Sequence, residues 1–399
     1  MLPSPPPAFA DSPGSGAAGS GADGADASGE PLEVLIAGGG VAALEAALAL
    51  RDLAGELTRV TVLAPDREFL YRPLAVREPF AYGRADRLPL APILQEAGAE
   101  QLADRLASVD QDRGVALTEG GAELPFGAVL IATGALARPR YEHAVTIDAG
   151  RLDELMHGLV QDVEQGYVGS LAFVSPGRMA WPLPVYELAL MTAGRARDSD
   201  VELEIAIITP EEAPLAIFGS AVSERVAGLL AAAGIELFTS ARAEIPSTGS
   251  VVINPGDRRI AADRVVALPE LYGPPIRGIP VGEHGFFCTD PHGRVKGTER
   301  IWAAGDAGDF PVKFGGLAAQ QADAAAESIA ALAGAPVSPR PFDPEIHGVL
   351  LTGGRPLYIA ARLAGGRGFS SQVSDTPLEE APAKITARYL APYLHAHAP

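Results

Sequence analysis

The sequence has one cysteine, Cys288, among 399 residues. No intrachain disulfide can form, and neither a Cys-x-x-Cys redox pair nor a cysteine-based zinc site is available. Reductases that work through an internal dithiol are thereby excluded. Long apolar runs are also missing: none approaches the ~20 residues of a membrane-spanning helix. Positive charge is scarce, with 31 Lys and Arg against 50 Asp and Glu and a formal net charge of −19. Such a chain cannot replace the counterions of nucleic acid and is not drawn electrostatically to an acidic membrane. Residues 1–30 contain no Lys or Arg. They lack the charged start of a secretory signal, and their Pro, Gly, Ser, Ala and Asp read as a disordered leader. A cytoplasmic protein is the expectation. The seven histidines are scattered without metal-ligand spacing, so no metal site and no hydrolase triad is expected.

What is present begins at residue 33. Four apolar residues, 34–37, run into Gly38-Gly39-Gly40 and then into a helical pattern without Pro or Gly until Gly55. This reads as strand, tight turn, helix. The spacing Gly38-x-Gly40-x-x-Ala43 is the dinucleotide-binding fingerprint in its Gly/Gly/Ala form. Gly38 permits the turn, Gly40 lets a pyrophosphate approach the backbone, and Ala43 lets helix and strand pack closely. The phosphates would lie on the N–H groups of a helix starting near Val41. A second strand over 60–63 follows. Its end, where an acidic residue usually holds the ribose, is Ala64, with Asp66 two residues on. Asp66 is either the substitute or a solvated turn residue. Residues 69–80, with Arg72 and Pro73, read as an aromatic, Pro-punctuated loop able to wall a flat ligand.

A strong strand over 128–131 ends in Ala132-Thr133-Gly134. A second α/β unit follows, with strands over 171–174, 201–209 and 236–238 and helices over 186–192 and 221–233. The alternation predicts a parallel sheet with helices on both faces. After the strand over 264–268, the segment 298–306 ends in Gly305-Asp306. Lys313, Gly315 and Gly316 then precede a long Ala-rich helix from Leu317 to about 332. Strand-like pieces at 350–351 and 357–359 and a tail helix over 384–394 complete the chain.

The three motifs in order resemble the two-dinucleotide-binding-domain flavoproteins, the pyridine nucleotide–disulfide oxidoreductases, over roughly residues 31–332. The resemblance implies an α/β fold of two Rossmann-like three-layer domains. The first spans 31–140 and 266–334 and is interrupted by the second at 141–265. A small C-terminal cap or interface segment, 335–399, follows. It also implies FAD, with its pyrophosphate on Gly38, Gly39, Gly40 and Val41, the Ala132–Gly134 turn at the crossover, and Asp306 on the ribityl–phosphate region. A helix starting at Leu317, approached through Gly316, would aim its positive end at the charge a reduced flavin carries around N1. Lys313 would add a full positive charge. The segments 69–74 and 313–318 are similar to the branch that holds sulfide:quinone oxidoreductases, flavocytochrome c sulfide dehydrogenases and type II NADH dehydrogenases.

The second fingerprint is missing. Counting back from Glu187, the three glycine positions are Ala180, Pro182 and Val185. Side chains and prolines stand where a pyrophosphate needs bare N–H groups. The second domain is therefore expected to keep the fold without standard NAD(P)H binding. Trp181 is either a wall of the substrate entrance or a core residue; Glu187 is either a proton carrier near the flavin or a helix-start carboxylate. Cys288 reads as a small apolar residue in a buried strand. A sulfide oxidase with one cysteine lacks a resolving thiol. The leading expectation is an FAD-dependent oxidoreductase, reduced by a small-molecule donor and reoxidised by a quinone or another acceptor. The alternatives are an NAD(P)H dehydrogenase with a non-standard nicotinamide site, and a flavin-holding sensor or interaction protein without turnover. The tail stripe of Ile385, Tyr389, Leu390, Tyr393 and Leu394 would meet the protein itself, a dimer mate or a membrane surface.

Overall fold

A computed structural model describes residues 30–81, 83, 85–177, 181–364, 367–378 and 385–397. The expected leader, apart from Glu30, lies outside the described residues, as do Ala180 and Lys384. Seven α-helices are described: α1 (Val41–Leu53), α2 (Leu90–Glu96), α3 (Leu152–Glu164), α4 (Leu183–Asp198), α5 (Ser220–Ala232), α6 (Gly315–Leu332) and α7 (Leu390–His397).

The first domain is built on a five-stranded parallel sheet. Its order is Ile301–Ala303, Ala128–Ile131, Leu32–Ala37, Thr58–Leu63, Glu100–Leu102. The strand Ala128–Ile131 is apolar throughout because both its faces are covered. One face carries α1 and α6. Their alanines, among them Ala42, Ala46, Ala322 and Ala326, share one core and let the two helices approach closely. The other face carries an antiparallel sheet of Leu106–Asp110, Val115–Thr118 and Glu123–Pro125, with Leu35, Val129, Leu106 and Ala116 in a separate core.

Between Leu136–Arg138 and Glu270–Tyr272 the chain builds the second domain. Its parallel sheet runs Val145–Thr146, Arg264–Ala267, Ser170–Val174, Glu204–Ile208, Ile235–Phe238. Among the described residues, helices cover one face only. The other is covered by the antiparallel strands Arg242–Ser247, Gly249–Asn254 and Arg258–Ala262, whose Val251 and Ile253 pack on Val174 and Ile208. This corrects the expectation of helices on both faces. These strands are short and half polar, so their apolar alternation carries little signal beside the neighbouring buried strands. The strand Arg264–Ala267 also straddles the boundary expected at 265. The outgoing and returning connections pair with each other, Leu136–Arg138 antiparallel to Glu270–Tyr272.

Three further expectations are corrected. Residues 69–80 are not an irregular loop: they form the strand Glu68–Leu70 and a 3₁₀ stretch, Arg72–Phe80, which Pro73 starts at its compatible first turn. The Ala-rich helix begins at Gly315 rather than Leu317, so Gly315 and Gly316 are its first turn. The tail helix begins at Leu390. The C-terminal segment contributes an antiparallel sheet of Glu345–Leu350, Leu357–Ala364 and Arg367–Ser374. Its Ile346, Leu350 and Ile359 join the core formed by α3, α4 and α5. The tail stripe meets the protein itself. Leu390 is buried with α1 and α6, and Tyr389, Tyr393 and Leu394 pack against that core. Among the described residues no helix is long and apolar enough to cross a membrane.

Candidate functional site

The turn after the strand Leu32–Ala37 is set by two contacts. Gly38 adopts φ +127°, and a Cβ there would lie 2.2 Å from the carbonyl oxygen of Ala132. Its N–H donates to Leu63 O at 2.8 Å. Only glycine fits. Gly40, in contrast, has an ordinary extended φ of −93°, and a Cβ added there would meet no atom within 4 Å. It faces open space at the start of α1, where no side chain among the described residues caps the helix. The uncapped N-terminal N–H groups and the helix dipole make this an anion-binding end.

That open space belongs to a cavity of about 1470 Å³. It is larger than the ~300–1,000 Å³ of an ordinary small-ligand pocket. Gly38, Gly39, Gly40, Val41, Ala64 and Asp66 line it, as do Arg72, Pro73, Ala132, Thr133 and Gly134. Gly305, Asp306, Lys313 and Trp181 line it as well. Three motifs far apart in sequence therefore share one wall system, because the parallel strands deliver all their carboxyl ends to one edge of the sheet. Ala43 is fully buried and works by packing. Gly316 and Leu317 do not line the cavity; the first turn of α6 presents Gly315 and Ala318 instead. A Cβ on Gly305 would lie 3.2 Å from Ala318 and 3.3 Å from Ala42, so Gly305 sits between the starts of α6 and α1. Its N–H is held by Gln321 Oε1 at 2.7 Å.

Asp306 and Lys313 form the charged centre. Burial pushes the Asp306 carboxyl up, against the pull of Lys313 and Arg72. Burial brings the Lys313 ammonium down to about 8, against Asp306 and Asp309. Lys313 Nζ donates to the carbonyl of Gly308 and lies 4.2 Å from the ring centre of Phe286. Trp181 stacks on Phe314, the residue preceding α6, with ring centres 4.7 Å apart, and meets Phe218 edge-on at 5.7 Å. One end of the cavity is therefore an aromatic wall joining both domains.

Glu187 and Cys288 stand away from the cavity. Glu187 is buried in α4, where its Oε1 accepts the N–H of Leu351 at 2.9 Å, and it does not line the cavity. Cys288 is half-buried and lies outside the named strands, which corrects the buried-strand expectation. A hydrogen bond to Asp309 pushes its thiol up, and it does not line the cavity. Lining residues that carry no motif include Arg105, Glu119, Arg277, Val349 and Ile385. They reach the cavity only through the antiparallel layer and the C-terminal segment, so no local pattern announces them.

The second domain treats its own crevice differently. Pro182 precedes α4 and Pro184 sits in its first turn. Tyr186 is fully buried, and its hydroxyl donates to Glu211 Oε2 at 2.6 Å, just past the strand Glu204–Ile208. Thr209 Oγ1 donates to the same oxygen at 3.1 Å. Burial pushes the Glu211 carboxyl up to about 7. A dinucleotide would need the space between this helix start and this strand end. Tyr186 and Glu211 stand at its two sides, and residues 178–180 of the adjoining turn lie outside the described residues. Among the described residues no group of His, Cys, Asp and Glu could hold a metal ion.

Solved structures align with the chain over most of its length. A sulfide:quinone oxidoreductase from the hyperthermophilic bacterium Aquifex aeolicus aligns with a TM-score of 0.74 at 19% identity, over 86% of this chain and 87% of that one. The chain has the fold of these reductases. A ferredoxin reductase from Rhodopseudomonas palustris aligns with a TM-score of 0.65 at 20% identity, over 84% and 83% of the two chains. A NAD-dependent persulfide reductase from A. fulgidus aligns with a TM-score of 0.61 at 19% identity, over 83% of this chain and 64% of that one. No protein-family model matches the sequence, and no curated protein sequence does. The expected two-domain α/β architecture is thus the observed one.

Proposed function

We propose that the chain is an FAD-dependent oxidoreductase whose electron donor is not NAD(P)H. The observation that carries this reading is one cavity uniting the Gly38–Gly40 turn, the Ala132–Gly134 turn and Gly305-Asp306, beside a second helix start, that of α4, where Pro182 and Pro184 stand in place of free N–H groups. The residues fit the cofactor. A turn with no room for a Cβ, an uncapped helix start and an open Gly40 suit a pyrophosphate. Asp306 would hold hydroxyls of the chain linking phosphate to flavin, and Asp66 the ribose in place of the acidic residue that Ala64 lacks. When bound, the flavin ring supplies reversible two-electron transfer.

The protein's own part is electrostatic and steric. The first turn of α6 aims N–H groups at the cavity. Lys313 Nζ, largely charged at pH 7, opposes negative charge gained in the cavity. Trp181 and Phe314 exclude water and offer a flat apolar surface to a quinone or similar acceptor. A small inorganic or organic donor, sulfide among them, needs no nucleotide crevice. Its sulfur chemistry would have to use a thiol from outside the chain, because Cys288 is not at the cavity. A second reading, a flavin-holding sensor without turnover, draws on that same observation.

Anaerobic visible spectroscopy of the purified protein tests these readings. Oxidised-flavin bands that bleach with sulfide, return with a soluble quinone, and resist NADH and NADPH support the proposal. Saturable bleaching by either nicotinamide overturns the donor assignment, and a colourless protein that takes up no FAD overturns the cofactor. Bands that no donor bleaches favour the sensor.

A further inference from the structure

The C-terminal segment is fastened across the first domain by one side chain that no motif singles out. Glu45, in α1, is fully buried. Its carboxylate accepts the consecutive N–H groups of Arg388 at 2.6 Å, Tyr389 at 2.9 Å and Leu390 at 2.6 Å. Three residues earlier, Ile385 is 3% exposed and lines the large cavity. A Cβ on Gly315 would come within 2.8 Å of Ile385 Cδ1, so this side chain lies directly on the first turn of α6. The Ile385 N–H donates to the Tyr71 hydroxyl at 3.1 Å. Further on, Tyr389 Oη donates to Asp52 at 3.2 Å.

A buried carboxylate is costly unless its oxygens are filled, and three charge-assisted bonds at the start of α7 fill them. The same bonds fix the backbone direction immediately after Ile385. Packing alone, through Leu390 and Tyr393, would hold the segment without fixing that direction. We infer that Glu45 is a positioning residue: it latches residues 385–397 as a strap and so seats Ile385 as a wall of the cavity at the first turn of α6. The cavity's ligand rests on the FAD proposal; the latch does not.

The latch has a built-in opponent. Asp323 of α6 faces Glu45, and its buried Oδ1 has no hydrogen-bond donor among the described residues. A proton held between the two carboxyls supplies the missing donor. Burial and the neighbouring Glu45 push Asp323 up to about 8, and burial pushes Glu45 up as well. The other charged groups around the pair are Glu327 of α6, Arg388 and Tyr389 of the strap, Arg340 and Asp52. Deprotonation of Asp323 sets a second negative charge against Glu45, so the latch loosens as pH rises through about 8.

Hydrogen exchange at single-amide resolution, with parallel measurement of FAD release, tests the latch. In Glu45→Gln the amides of Arg388, Tyr389 and Leu390 are expected to exchange at least tenfold faster, because one amide oxygen cannot serve all three donors. Ile385→Ala leaves those amides protected. Both variants are expected to speed exchange at Ala318 and Ala319 and to release FAD about tenfold faster. After correction for intrinsic exchange, the wild-type strap amides become more labile between pH 7 and 9, and Asp323→Asn removes that dependence. Unchanged protection of residues 388–390 in Glu45→Gln overturns the latch. Faster strap exchange with unaltered α6 amides in both variants overturns the positioning role. A chain that takes up no FAD fails the cofactor reading while the amide measurements still decide the latch.

Discussion

Alanine substitutions at Gly38 and Gly40 separate what the Gly-rich turn does for the fold from what it does for a ligand. In Gly38→Ala the new Cβ meets the Ala132 carbonyl oxygen at 2.2 Å, with φ held at +127°. That oxygen belongs to the residue directly after the interior strand Ala128–Ile131, and the Ala132 N–H is itself bonded to Ala37 O at 2.8 Å. Neither side of the contact can yield without parting strands. The strained φ costs about 1–3 kcal/mol and the overlap a similar amount, so the sum is about 4 kcal/mol, roughly a thousandfold in the folding equilibrium. In Gly40→Ala the backbone at φ −93° accepts a side chain and nothing stands within 4 Å. Reduced chain entropy in the unfolded state and a poorer helix cap oppose each other, leaving a net change within about 1 kcal/mol. The added methyl instead enters the cavity where the phosphates approach. Urea unfolding of the flavin-free variants, followed by FAD titration, reads both effects. Gly38→Ala should lose stability, and Gly40→Ala should keep it while binding FAD at least tenfold more weakly. Equal stability losses, or undiminished FAD affinity in Gly40→Ala, would refute the assignment of the two glycines.

Lys313→Met should lower the flavin midpoint potential and abolish an inflection near pH 8 in the rate of flavin reduction, measured by stopped flow. Because burial lowers the Lys313 ammonium from 10.5 to about 8, the unfolded chain binds more protons between those values, and this group's contribution makes stability rise with pH there. A denaturation series at pH 8 and 10 in wild type and Lys313→Met checks the sign. Trp181→Ala should cost about 1–2 kcal/mol by unstacking from Phe314 and should speed flavin reoxidation by bulky quinones relative to small ones. Glu187→Ala should cost about 1–3 kcal/mol, because the Leu351 N–H loses its acceptor, while the rate of flavin reduction stays within twofold. A shifted pH–rate profile in that variant would return Glu187 to proton transfer.

The sequence by itself determined the Gly-rich turn and the alternation of strand and helix. Both are local: Gly38-x-Gly40-x-x-Ala43 follows an apolar run, and a strand buried on both faces shows as continuous apolar residues. The order of motifs also told which segments return to the first sheet. What only the tertiary structure decided is which side chains share a space. Glu187 and Trp181 stand six residues apart in sequence, yet Trp181 lines the cavity and Glu187 serves a backbone N–H of the C-terminal sheet. Tyr186 meets Glu211 across a strand end, a contact no spacing encodes. Glu45 looks like one more polar residue on an alanine-rich helix until three N–H groups from residues 388–390 arrive on it. Periodicity reports a residue's own helix or strand face. The partner on that face comes from a distant part of the chain, and only folding brings it there.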